Sequence, residues 1–189
     1  MKAFKQTPYP DESEAPGAAP VCSNDKRAND SGYSSVPLYS DAFEAAGMVK
    51  CVFFYDAPMS GGAPMALEAG VGLAGTRLNT EFYFIPDDRG TLRLFWIITN
   101  GPAEIFNSLQ QTMKKAYGEP RHRVEVWQSQ GGNKLDNDIY TWSNSSSQIE
   151  FRHFGNRLTI FELQHTLTSL WDKLSKILDD LDTEAAKKL

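Results

Sequence analysis

Residues 81–98 constrain this chain more than any other stretch. Two apolar runs, Glu81–Ile85 and Thr91–Ile98, flank Asp87-Asp88-Arg89-Gly90, which suits a type I turn closed by a glycine in left-handed backbone. A β-hairpin is expected. Strict alternation in its second strand places Leu92, Leu94, Trp96 and Ile98 on one face and Phe95 and Ile97 on the other. Both faces then need cover, so this strand belongs inside a sheet.

Other segments supply the rest of that sheet and its cover. Val49–Tyr55 (VKCVFFY), β-branched and aromatic, reads as a buried strand. Four shorter strands are expected at His122–Gln128, Asp138–Ser143, Gln148–Phe154 and Arg157–Gln164, with Gly155-Asn156 as a tight turn between the last two. Within them Ile149 and Phe151 point one way, Glu150 and Arg152 the other. Pro102–Tyr117 reads as a helix whose stripe is Ile105, Phe106, Leu109, Met113, Ala116 and Tyr117, with Pro102 at its first position and Gly118 and Pro120 ending it. A C-terminal helix over about 167–181 carries Leu167, Leu170, Trp171, Leu174, Ile177, Leu178 and Leu181 at spacings of three and four. A short helix is expected at Asp41–Ala46, capped by Ser40 or Asp41.

The fold class is therefore α+β: an antiparallel meander sheet packed by an amphipathic helix (about 102–117) and a C-terminal helix (about 167–181). With 189 residues, 41% of them hydrophobic, the chain suits one domain over 39–183. Residues 1–38, rich in Pro, Ser, Asp and Gly, read as a flexible polar arm whose anchors are Tyr9, Tyr33, Val36 and Leu38, and 184–189 as a frayed tail. From Ala57 to Thr80 the chain holds Gly61, Gly62, Gly70, Gly72 and Gly75 and only Glu68 and Arg77 as charges. This segment reads as a loop, mobile or ordered only by contact with a partner.

Cys22 lies in the arm and Cys51 in a strand, and neither has a metal-ligand companion at short spacing. Cys51 is either a buried free thiol or the partner of Cys22 in a disulfide. The disulfide would tie arm to core and contribute about 3–4 kcal/mol in an oxidising compartment.

No motif defines a reaction. Gly70-Val71-Gly72-Leu73-Ala74-Gly75 matches GxGxxG without the preceding strand and following helix that phosphate binding needs. His122, His153 and His165 read as surface or element-end residues, Asp136-Asn137-Asp138 and Asp87-Asp88 as turns, and Ser143–Ser147 as a hairpin tip. No cofactor and no metal are expected. A net charge of −5 with scattered basic residues argues against nucleic acid as partner. No run reaches the roughly 18–20 apolar residues of a membrane span. The first twenty residues lack a signal peptide's apolar stretch, so the chain reads as cytoplasmic as written, and periplasmic or secreted where a signal peptide has been removed.

Strand aromatics then become the binding candidates. Met59, Met65, Leu73, Trp96, Trp127, Tyr140 and Trp142 are the residues expected to meet a partner, which is another protein or a second copy of the chain. The function expected is non-enzymatic binding, as in a chaperone, inhibitor or immunity-type module that uses sheet aromatics and the Gly-rich loop. Two alternatives stand beside it. One is a pocket for a small apolar ligand or lipid, covered by residues 57–80; the other is an enzyme with a dispersed site, for which Glu81, Asp87, His153 and His165 are the suspects.

The stretch Glu81–Leu163, with its hairpin, its helix ending in Tyr117-Gly118-Glu119-Pro120 and its Trp-bearing strands, loosely resembles small bacterial domains of unassigned role. That resemblance carries over no functional residue; many such domains are exported. In its acidity and element order the chain is similar to class I type III secretion chaperones.

Overall fold

The hairpin forms as its turn sequence demands. In the computed structural model, which describes residues 15, 17–38, 40–57, 65–73, 76–128 and 132–186, strand β5 is Thr76–Pro86 and β6 is Leu92–Pro102. Asp87 Oδ1 accepts the backbone N–H groups of Arg89 and Thr91, each at 2.9 Å, and Gly90 sits at φ 74°. A glycine tolerates that left-handed backbone without Cβ strain.

Among the described residues, ten antiparallel strands make one sheet. The remaining strands are β1 (Ala19–Cys22), β2 (Val49–Ala57), β3 (Met65–Glu68), β4 (Val71–Leu73), β7 (Arg121–Gln128), β8 (Lys134–Ser143), β9 (Ser147–Arg152) and β10 (Ile160–Leu167). The order across the sheet is β1-β2-β5-β6-β10-β9-β8-β7, with β3 paired to β2 and β4 to β5. β6 therefore lies between β5 and β10, inside the sheet as its two apolar faces require.

One detail of β6 departs from strict alternation. Tyr83 faces Trp96 while Phe84 faces Leu94, so Phe95 is an extra, bulged residue. A bulge turns two successive side chains to the same side. Leu92 and Leu94 accordingly pack with Val49, Phe84, Cys22 and Cys51, whereas Phe95, Trp96 and Ile98 pack on the opposite face. The expectation that Leu92, Leu94, Trp96 and Ile98 share one face is corrected by that single inserted residue.

Two helices take opposite faces. Helix α1 is Asp41–Ala45, α2 is Phe106–Tyr117 and α3 is Thr168–Ala186. Phe106, Leu109 and Met113 of α2 bury against Leu78, Trp142, Phe151 and Phe161. Pro102 ends β6, a 3-10 turn at Ala103–Ile105 precedes the helix, and Tyr117 is 60% exposed, so the buried stripe stops short of the expected one. On the other face Leu174 of α3 buries with Tyr83, Ile85, Phe95 and Ile98, and Leu170, Ile177 and Leu178 pack around it. Among the described residues, no helix is long and apolar enough to cross a membrane.

Part of what composition assigns to the arm is ordered on the domain: Ala19–Cys22 is strand β1 of the sheet, and two 3-10 turns at Lys26–Asn29 and Ser31–Tyr33 follow it. β1 pairs with β2, setting Cys22 opposite Cys51, and the two form a disulfide, so Cys51 is not a free thiol. Val21, Ala28 and Val36 bury against Val52 and Phe54, and the Tyr33 ring meets Phe54 edge-on at 4.8 Å. Residues 1–14 and 16, with the anchor Tyr9, lie outside the described residues, as do 187–189 at the other end. The described part of the Gly-rich segment is strand as well. β3 extends β2, β4 pairs with β5, and a Cβ on Gly70 would meet the Leu78 carbonyl at 2.9 Å. Glycine here permits close backbone approach at a corner of the sheet. Gly155-Asn156 is no two-residue turn either: β9 ends at Arg152 and β10 begins at Ile160, with the Gly155 N–H bonded to the Ile160 carbonyl at 2.8 Å.

Candidate functional site

α3 lies over β5 and β6, and the same sheet face continues past it across β10, β9, β8 and β7. Alternation presents Glu162, Gln164 and Thr166 of β10 on this face, then Gln148, Glu150 and Arg152 of β9, Thr141 of β8, and Arg121, Arg123 and Glu125 of β7.

Two open depressions adjoin there. One, of about 350 Å³, is lined by Gln148, Gln164, Thr166, Thr168, Trp171 and Asp172. The other, of about 370 Å³, is lined by Arg121, His122, Arg123, Thr141, Gln148 and Glu150. Gln148 belongs to both, so they form one trough running from the wall of α3 to the edge strand β7. Four strands at roughly 4.8 Å spacing give it a length of roughly 14 Å.

Its helix end is aromatic. Trp171 is 36% exposed, and its ring meets Trp96 edge-on at 5.2 Å; Trp96 in turn packs on Tyr83 at 4.6 Å. The Trp96 indole N–H donates to Gln164 Oε1 at 3.2 Å, and Gln164 Nε2 donates to Glu162 Oε1 at 2.7 Å. These bonds hold the floor side chains and the ring in one arrangement.

Its edge end is a closed ring of ion pairs. Arg123 bonds Glu125 at 2.7 Å and Glu150 at 3.1 Å, while Arg152 bonds Glu125 at 3.2 Å and Glu150 at 2.7 Å. Each carboxylate bridges both guanidinium groups, so the four charges cancel within the ring. Ile139, set in register between Arg123 and Arg152, is completely buried, which the aliphatic stems of the arginines explain.

The predicted binding residues do not converge. Trp96 supports the trough. Trp127 is on β7, with Phe154 at 6.3 Å. Tyr140 stacks on His122 at 4.7 Å and packs near Phe106 on the α2 face, where burial and the nearby Asp138 raise its pKa. Trp142 is 7% exposed and donates its indole N–H to the Gly118 carbonyl at 2.8 Å, so it is a core residue that also ties down the end of α2. Met65 is exposed on β3, at the far side of the sheet; Leu73 is on β4, and Met59 lies outside the described residues.

The enzyme suspects are equally scattered. Glu81 pairs with the buried Lys50 at 2.7 Å and accepts the Tyr83 hydroxyl at 2.6 Å. Asp87 holds the hairpin turn, its carboxyl lowered below the usual range by the Arg93 bond and the Thr91 N–H. His153 stacks between Phe106 at 4.4 Å and Phe154 at 4.1 Å, and burial lowers its pKa. His165 is exposed on β10. His122 Nε2 lies 2.8 Å from Asp138 Oδ1, but among the described residues no hydroxyl or thiol bonds that pair. Among the described residues no group of three or more His, Cys, Asp or Glu is placed to hold a metal ion.

The sequence reading missed Trp171, which it assigned to the core stripe, and the charge ring. A signal for the ring was present: Arg123 with Glu125, and Glu150 with Arg152, each sit two apart and so share a face. Comparison with known protein families, with characterised proteins and with solved structures finds no match to this chain.

Proposed function

We propose that this chain is a non-enzymatic binding protein that holds an extended segment of a polypeptide partner in the trough beside α3. The observation that carries this reading is the continuity of the two depressions through Gln148, with an exposed indole at one end and a self-neutralised charge ring at the other. A length of roughly 14 Å matches about four residues of extended chain. Amides and hydroxyls from Gln148, Gln164, Thr166 and Thr168 suit the backbone groups of such a segment, and Trp171 offers a flat apolar surface to one of its side chains. The charge ring is neutral as a whole, so of the arginines in the trough Arg121 alone adds positive charge, far short of the basic stripe a phosphate backbone needs. The Cys22–Cys51 disulfide favours a compartment that is not strongly reducing.

A library of random hexapeptides displayed on phage and selected against the intact chain tests this. The selected peptides are expected to share an apolar side chain at one end. Trp171→Ala should weaken their binding about tenfold or more, while Met65→Ala, remote from the trough, should leave it unchanged. Selection of no peptide, or peptides indifferent to Trp171→Ala, would sink the reading.

A further inference from the structure

β7 ends the sheet, and among the described residues no strand pairs with its outer edge. It is eight residues long, and its Val124 and Val126 are 47% and 59% exposed. Proteins guard such edges with charge or proline. β7 carries Arg121, His122, Arg123 and Glu125, yet Arg and Glu in one strand can also complement a second copy of themselves.

We propose that two copies of this chain pair β7 to β7, antiparallel, about a two-fold axis through Val124. The geometry restricts the choice of register. A two-fold axis perpendicular to the sheet preserves its faces, so residues opposite one another must point the same way, and each register is centred on one residue facing itself. Centring on Arg123 or Glu125 sets like charges opposite each other, and centring on His122 sets Arg121 against Arg123 of the second copy. Centring on Val126 sets Arg123 against position 129 of the second copy, beyond the end of β7, and so leaves it without an ion pair across the axis. Centring on Val124 opposes Arg123 to Glu125 of the second copy twice over, Val124 to Val124, His122 to Val126, and Arg121 to Trp127. Every position in that register is then a favourable or neutral pair: two ion pairs, an apolar contact at the axis and a guanidinium against an indole.

The pairing would also join the two charge rings, because Arg123 and Glu125 are already held in place by Glu150 and Arg152. The troughs of both copies would lie on the same face of a continuous sheet, with their charged ends meeting at the axis and the Trp171 walls outermost. This inference does not depend on what the trough binds.

Sedimentation velocity on the intact chain at up to roughly 100 µM is expected to show a dimer. Arg123→Glu alone and Glu125→Arg alone each oppose like charges across the axis and should weaken self-association about tenfold or more. Mixed in equal amounts, the two variants again set a carboxylate of one copy against a guanidinium of the other at both positions, so native mass spectrometry should find the heterodimer favoured over either homodimer. The register is read independently by mild oxidation, with Val124→Cys cross-linking two copies and Val126→Cys, opposite His122, not doing so. A wild-type chain that stays monomeric at that concentration overturns the proposal, as do mixed variants that do not associate or Val126→Cys cross-linking as readily as Val124→Cys.

Discussion

Reduction of Cys22–Cys51 should lower the melting temperature by a large and calculable amount. The bond spans a sequence separation of 29 residues. On the chain-entropy model, such a loop removes about 12 cal/mol/K from the unfolded ensemble, or roughly 3.6 kcal/mol at 25 °C. For a chain of this size each kcal/mol moves the melting temperature by about 2–4 °C, so the expected drop is about 7–14 °C. Reduced wild-type protein keeps both sulfur atoms in the core, and its melt against the oxidised form therefore reports the cross-link itself. A Cys22→Ala/Cys51→Ala chain should melt lower still, because two packed sulfurs are lost as well. Both cysteines are completely buried. Thiolate attack must then wait for β1 to separate from β2, so reduction in native buffer should be slow and should accelerate with denaturant. Circular dichroism melts of the oxidised, reduced and double-alanine chains measure the first effect, and thiol release with time measures the second. Oxidised and reduced melts that coincide within about 2 °C would refute the reasoning, as would thiol release at the rate of an exposed disulfide.

Gly101 on β6 tests how tightly the two sheet halves meet. A Cβ there would collide with Leu78 and lie 2.7–2.8 Å from the Phe161 ring, so Gly101→Ala should cost about 1–3 kcal/mol, seen as a lower urea midpoint with an unchanged slope; an unchanged midpoint would show that this contact yields. His153 sets a pH dependence. Burial holds its pKa below 6.5 in the folded chain, so as pH falls through 6.5 the unfolded chain takes up the proton first and stability declines until the folded ring also protonates. His153→Phe should remove that part of the acid-side decline in urea midpoints measured across the range, and identical wild-type and variant profiles would contradict the assignment.

Much of the fold was legible because it is encoded locally. Asp87 and Gly90 specify their turn through bonds within five residues, and the β5–β6 hairpin follows. The α2 stripe at Phe106, Leu109 and Met113 is visible in its spacing, and so is that of α3 at Leu170, Leu174 and Ile177. Composition was a poorer guide. Residues 19–36 look too polar to order, yet three small apolar side chains and a disulfide hold them. The Gly-rich segment looks like a loop because glycine is depleted in strands, but its described part pairs along β2 and β5, where Gly70 lets backbones approach. The candidate site was the least legible. Trp171 falls within an apolar stripe, and only the position of α3 beside Trp96 turns its ring toward the trough.

The sequence by itself determined the kinds of element, their order, the turn at residues 87–90 and which side chains share a face within a regular strand. Those properties depend on backbone sterics and on a periodicity that repeats over a few residues. The tertiary structure alone decided that Phe95 bulges, that β10 returns to lie beside β6, that Cys22 faces Cys51 and that Arg123 and Glu125 close a ring with Glu150 and Arg152 across an intervening strand. Each joins residues from separate elements. Their alignment follows from burying both faces of one sheet at once, and no window along the chain contains that requirement.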